Sequence, residues 1–287
     1  MGEVISLMLS FTFLQRALVV GLLISLCSSL LGVSLVLKRY SMIGDGLSHV
    51  GFGSLAVATA FNAAPLLVSL PVTVIAAFLL LRLSEQGRIK GDAAIALVSA
   101  SALAIGVFVI SMTTGMNTDV DNYLFGSILT LTQSDVILSV VLCVVVFAVF
   151  IFLYNRIFAV TFDETYARAI GVRAGIYTSM FAVLTAVTVV IGMRMMGALL
   201  ISSIIIFPAL SAMNICKRFK SVTVFAATVS VMCYLVGITL SFILATPAGA
   251  SIVLVNLAVF LLCLAARRVR ALPAGGGQPS NPGSNKP

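Results

Sequence analysis

The chain has 287 residues, 61% of them hydrophobic and only 9% charged, with a mean hydropathy of +1.19 and a net charge of +8. No soluble domain needs so much apolar surface, so the length is that of one polytopic membrane domain rather than one or two soluble ones. The basic residues lie in short runs between apolar stretches, which excludes a clustered nucleic-acid surface and fits loops on one side of a bilayer.

The five cysteines, Cys27, Cys143, Cys216, Cys233 and Cys263, form no CxxC pair and sit in or at the ends of apolar runs. They read as small buried hydrophobes, not as a disulfide framework or a zinc knuckle. The opening MGEVIS has the form of a myristoylation signal, which a chain anchored many times over does not need. It lacks the basic start and small-residue cleavage site of a signal peptide.

A bilayer core is crossed by about 20 apolar residues of helix. The first such span covers 11–37 and ends at Lys38-Arg39. The second, 43–61, opens with Gly44-Asp45-Gly46-Leu47-Ser48-His49, which holds the sequence's single histidine and a carboxylate four residues before it. Positions four apart stack on one helix face, so Asp45 and His49 point the same way with Ser48 beside them. Ionisable groups in a membrane segment are costly and mark an interior path, and Asp with neutral His is a ligand pair for a divalent transition metal. The alternative is a structural hydrogen bond at a helix start. The glycines around the pair let neighbouring helices approach closely.

A turn at Asn62-Ala63-Ala64-Pro65 leads to a third span at 66–83, a polar loop at 84–92 and a fourth span at 93–112. The polar stretch 113–123 carries Asp119 and Asp121 and no basic residue, and the short apolar segment 124–134 is interfacial or re-entrant. A fifth span covers 136–154. The charged loop after it contains Thr161-Phe162-Asp163-Glu164-Thr165-Tyr166-Ala167-Arg168-Ala169-Ile170-Gly171. Thr161 is the expected N-cap, acids fill the first turn and Gly171 stops the helix. Phe162, Tyr166, Ala169 and Ile170 share a face suited to a partner groove, although a solvated connecting helix has the same pattern.

The sixth span, 176–193, is separated from the seventh, 198–215, by a break over Gly192–Gly197, where two half-helices could also meet. Pro208 removes a backbone hydrogen bond in the seventh span and is expected to kink it, with Ser203 or Ser211 holding the freed carbonyl. The eighth span follows Lys217-Arg218-Phe219-Lys220 to 244, and the ninth covers 252–266. After Arg267-Arg268-Val269-Arg270 the Pro/Gly/Ser/Asn tail, 271–287, is expected to be disordered and to follow a single membrane domain over 1–270. Nine spans place 14 of the 17 Lys and Arg residues on the side that holds the C-terminus, which makes that side cytoplasmic; Arg194 is an exception.

Arg39 to Ala58, RYSMIGDGLSHVGFGSLAVA, resembles the second-helix signature of the ABC-3 permeases, the membrane subunits of bacterial zinc and manganese ABC importers. The resemblance recurs at 161–172, at 197–212 and in the last outer loop at 246–255, and it extends to about residue 266. Thr246 departs from the acid the family often carries before that proline, and the 161–172 spacing departs from the EAA motif of other importers. The resemblance implies an all-α polytopic bundle of about 8–9 transmembrane helices. It implies a homodimer in a bacterial inner membrane, with an ATP-binding subunit beneath and an extracytoplasmic metal-binding protein outside. Asp45 and His49 would line the metal path, and Asp163, Glu164, Ala167 and Gly171 would belong to a coupling helix. Zinc or manganese is then the cargo, with no resident cofactor. No P-loop, HExxH or nucleophile elbow occurs, so ATP hydrolysis falls to the partner. The rivals are an ion-coupled secondary transporter with Asp45 as its cation site and an intramembrane enzyme using the pair as acid and base. The second lacks an evident nucleophile.

Overall fold

The computed structural model describes residues 11–85, 91–113, 126 and 131–271, and among them every regular element is helical. The long helices are α1 (Thr12–Leu37), α2 (Ile43–Ala60), α3 (Pro65–Glu85), α4 (Gly91–Thr113), α5 (Gln133–Phe152), α8 (Ala174–Met196), α9 (Ala198–Ile215), α10 (Phe219–Leu244) and α11 (Ala248–Ala271). Two short ones, α6 (Tyr154–Phe162) and α7 (Glu164–Ala169), lie between α5 and α8. Eight of the long helices have the length and apolarity to cross a membrane. The ninth, α2, is 18 residues long and carries Asp45, His49 and four glycines, yet it is buried between α3, α4, α8 and α9. On the far side of α8 and α9, α1 packs against α5 and α10.

Contacts between helices give their directions. Lys38 of α1 bonds Thr178 of α8, and Gly192 of α8 packs on Ile24 of α1, so these two run antiparallel. Gly46 and Gly53 of α2 face Ile95 and Ala102 of α4, so that pair runs parallel. A Cβ on Gly53 would lie 2.5 Å from the Ala102 carbonyl oxygen, which only a glycine avoids.

One end of the bundle gathers the C-termini of α1, α9 and α11 with α6, α7 and the N-termini of α8 and α10. Lys38 meets Glu164 there, Arg267 bonds Asn214, and Tyr154, Phe158 and Phe162 ring Phe219. This is the end where the basic runs predicted to share one side come together. At the opposite end the exceptional Arg194 pairs with Asp135 at 3.4 Å, and Arg16 donates to the Leu131 carbonyl at 3.2 Å.

α8 runs through Gly192 without interruption and stops at Gly197, whose φ of 90° suits glycine. Gly192 packs on Ile201 across this one-residue joint, so α9 turns back along α8. The separate sixth and seventh spans are therefore two antiparallel helices. α9 continues through Pro208. The expected hydroxyl partners do not serve the freed carbonyl: Ser203 donates to Leu200, and Ser211 has no partner among the described residues.

Thr161 is not the N-cap of the loop helix. The chain breaks at Asp163, whose carboxylate accepts from the Tyr166 N–H at 2.9 Å and caps α7 alone. A carboxylate closer to the break outcompetes the upstream hydroxyl. α5 begins at Gln133, earlier than expected, because Thr132 and Asp135 form a capping box. Asp119, Asp121, 86–90 and the tail beyond 271 lie outside the described residues.

Candidate metal path and coupling segment

α1 ends in a Schellman turn. Tyr40 N–H bonds the Leu35 carbonyl at 2.8 Å, Arg39 N–H bonds Val36 at 3.1 Å, and Arg39 takes a φ of 63°. The chain reverses at once and re-enters the bundle. Gly44 and Gly32 both pack on Ile205, while Gly51 packs on Met193, the neighbour of the Gly192 that meets Ile24. The first turns of α2 thus lie level with the stretch of α1 between Gly32 and Ile24, inside its C-terminal end. Gly32 is five residues inside Leu37, or about 8 Å.

Asp45 and His49 occupy this level. Asp45 Oδ2 and His49 Nε2 stand 3.7 Å apart, and their side chains are 38% and 22% exposed. That separation is too long for a hydrogen bond. It is the span of two ligands that each bond one ion at about 2.1 Å with an angle of about 120° between them. The Asp45 carboxylate also sits in the first turn of α2, where the helix dipole favours negative charge. His49 Nδ1 is buried and has no hydrogen-bond partner among the described residues, a cost that simple packing does not require.

Ser48 is wholly buried between the two. Its hydroxyl donates to the Asp45 carbonyl at 2.7 Å and lies 3.4 Å from Ser202 Oγ of α9, so the first turn of α2 is tied to α9. Met42, one turn before Asp45, is exposed and shares the open face at i, i+3, i+7 spacing. Three further methionines, Met193, Met195 and Met196, lie in the last turn of α8. These are buried: Met193 packs on Gly51, and Met195 accepts from Ser139. The spacing of Met42 to the pair was the available signal. No cluster of three or more His, Cys, Asp or Glu side chains occurs among the described residues, so Asp45 and His49 stand as a pair with an open side. The five cysteines are free thiols.

The coupling segment is a second, separate place. Glu164 pairs with Lys38 at 3.4 Å and with Arg168 at 2.7 Å, and Lys38 also donates to Thr178 at 2.8 Å. Partial burial pushes the Glu164 carboxyl up, but the hydrogen bonds and charges of Arg168 and Lys38 outweigh it and hold it below its ordinary value. Ala167 is 0% exposed, packed with Val160, Ala174 and Tyr177. It faces its own chain rather than a partner, so it seats α7. Asp163 caps α7, and Gly171, with a φ of 83°, ends it with open space around it. Phe162, Tyr166 and Ile170 are left exposed, and Ile170 lines a 410 Å³ depression with Arg156 and Arg173.

Residues 10–267 match the profile of the family described as the ABC 3 transport family. The chain is 30% identical over 271 residues to a probable iron transport system membrane protein of Haemophilus influenzae, covering 91% of this chain and 96% of that one. It is 27% identical to the high-affinity zinc uptake system membrane protein ZnuB of the same organism, covering 88% and 97%. It is also 27% identical to the manganese transport system membrane protein MntC of Halalkalibacterium halodurans, covering 89% and 87%. The fold resembles PsaBC from Streptococcus pneumoniae, solved in complex with a Fab, with a TM-score of 0.83 and 24% identity over 94% of this chain and 99% of that one.

Proposed function

The chain belongs to the ABC 3 transport family, and on that premise we propose that it is the membrane permease subunit of an ABC importer for zinc or manganese ions, working as a homodimer in a bacterial inner membrane. ATP hydrolysis takes place in a separate subunit docked at the basic, cytoplasmic end, and a metal-binding protein delivers the ion at the other. The observation that carries the assignment of the path is the Asp45–His49 pair, open on one side and set inside the bundle on a helix buried by its neighbours. A divalent ion loses hydration in a low-dielectric path, and a carboxylate offsets part of that cost. Two ligands are fewer than zinc or manganese takes. Water or the second copy's pair completes the shell while the ion is in transit.

The ATPase meets α7 and its two flanks through Phe162, Tyr166 and Ile170, with Arg156 and Arg173 near Ile170 to receive acidic groups. Lys38 joins this helix to the end of α1, directly before the turn into α2. Movement of α7 therefore has a short connection to the start of the metal-binding helix. The chain is expressed with its cognate ATPase and binding protein in a strain stripped of its own importers. Growth rescue in zinc- or manganese-limited medium that depends on the ATPase supports the assignment. Rescue without the ATPase would instead favour an ion-coupled transporter.

A further inference from the structure

A cavity of 600 Å³ opens between α5 and α10, within the size range of ligand sites. These helices both pack on α1 but scarcely on one another, and Leu30 of α1 forms the floor between them. The walls are apolar: Phe147, Phe150 and Ile151 on one side and Val224 on the other. The polar groups, Tyr154, Asn155, Lys220 and Thr223, come from the starts of α6 and α10 and so lie towards the basic end, the Thr223 hydroxyl being spent on the Phe219 carbonyl. The groove is amphipathic along its length, with a cation at its basic end. Ile151 and Val224 are exposed at its rim, as side chains meeting lipid are.

We propose that this groove binds one anionic phospholipid, with an acyl chain between α5 and α10 and its phosphate at Lys220 and Asn155. Chain positions favour lipid over a second copy of the protein. The groove is built by α1, α5, α6 and α10, whereas the open face of α2 that a second copy would share, on the function proposed above, lies among α3, α4, α8 and α9. The lipid would also act on the coupling segment. Tyr154 and Asn155 begin α6, which is pinned to Phe219 of α10 by rings 5.5–5.9 Å apart and leads straight into α7. A headgroup at Lys220 braces α6 against α10 and sets the stance of α7.

The test uses the permease–ATPase complex in mixed phosphatidylglycerol and phosphatidylcholine, read by native mass spectrometry. One added cation contact at the headgroup level gives about fivefold preferential retention of phosphatidylglycerol. Lys220→Glu should abolish that preference, and Val224→Trp, which fills the groove, should remove retained lipid of both kinds. Neither should change metal binding at Asp45 and His49, so a failure here is separable from a failure of the transport assignment. A photo-crosslinking side chain at position 151 should give lipid adducts. Equal retention of both lipids by the unaltered chain, or chain-to-chain adducts at 151, would overturn the proposal.

Discussion

α2 and α5 are built on opposite plans. α5 is apolar almost throughout, and its Ile137, Val144 and Ile151 stand exposed on the outside of the bundle. α2 has an aspartate, a histidine and four glycines and does not qualify as a membrane span by apolarity, yet beyond Met42, Asp45, His49 and its last turn it is buried. Lipid solvates apolar side chains as well as a protein interior does. Enclosure alone does not lower hydropathy, since α1 is as deeply buried as α2 and stays apolar; the low score of α2 comes from the polar groups and glycines that its enclosure admits.

The contrast is broken most severely at Gly53. Gly53→Ala forces a methyl to 2.5 Å from a backbone carbonyl, and overpacking of this kind costs about 3 kcal/mol. The same change of one small group on α5, Val144→Ala, faces outward and should stay within about 0.5 kcal/mol. Thermal stability in detergent, followed by size-exclusion chromatography, measures both. Equal losses would mean that α2 is no more tightly enclosed than α5.

Ala167→Glu has the next largest expected effect. The site is buried, so the charge should unseat α7 and lower ATPase copurification about tenfold, consistent with the cost of an unpaired buried charge. Tyr166→Ala, on the exposed face, should weaken ATPase binding and leave α7 seated. If Ala167→Glu left ATPase binding intact, α7 would not be the contact.

The smallest effect concerns Glu164. Its carboxyl is held below the ordinary value, so the pairing contributes stability that is present above about pH 4.5 and is lost as pH falls through the lowered value. Hydrogen exchange at the amides of α7, corrected for intrinsic rates, should accelerate on acidification in the natural chain and stay flat with Glu164→Gln. A flat profile in both would remove the Lys38–Glu164 link from the coupling account.

Most spans were legible because eight helices are long and apolar enough to cross a membrane, which composition shows directly. α2 was legible through its Asp-x-x-x-His spacing, since side-chain periodicity survives where hydropathy fails. The depth of the pair was not legible. It follows from the reversal at Arg39, a left-handed position without the glycine that usually signals one. Phe162, Tyr166, Ala169 and Ile170 are all exposed, but the break at Asp163 puts Phe162 on α6 and so removes it from the helical face expected to hold all four. The cap was missed because Thr161 and Asp163 both fit the rule, and only the break between α6 and α7 distinguishes them. Met42 was missed because it precedes the first predicted turn.

The central claim is that Asp45 and His49 ligate the ion in transit. Its most direct test is uptake of radiolabelled zinc or manganese by the assembled importer carrying Asp45→Asn, which keeps the side chain's shape and removes its charge. Uptake should fall at least about 100-fold, as expected when an interaction worth roughly 3 kcal/mol is lost, while membrane abundance and ATPase association remain normal. Near-normal uptake at limiting metal would mean that the pair is a structural contact and that the path lies elsewhere.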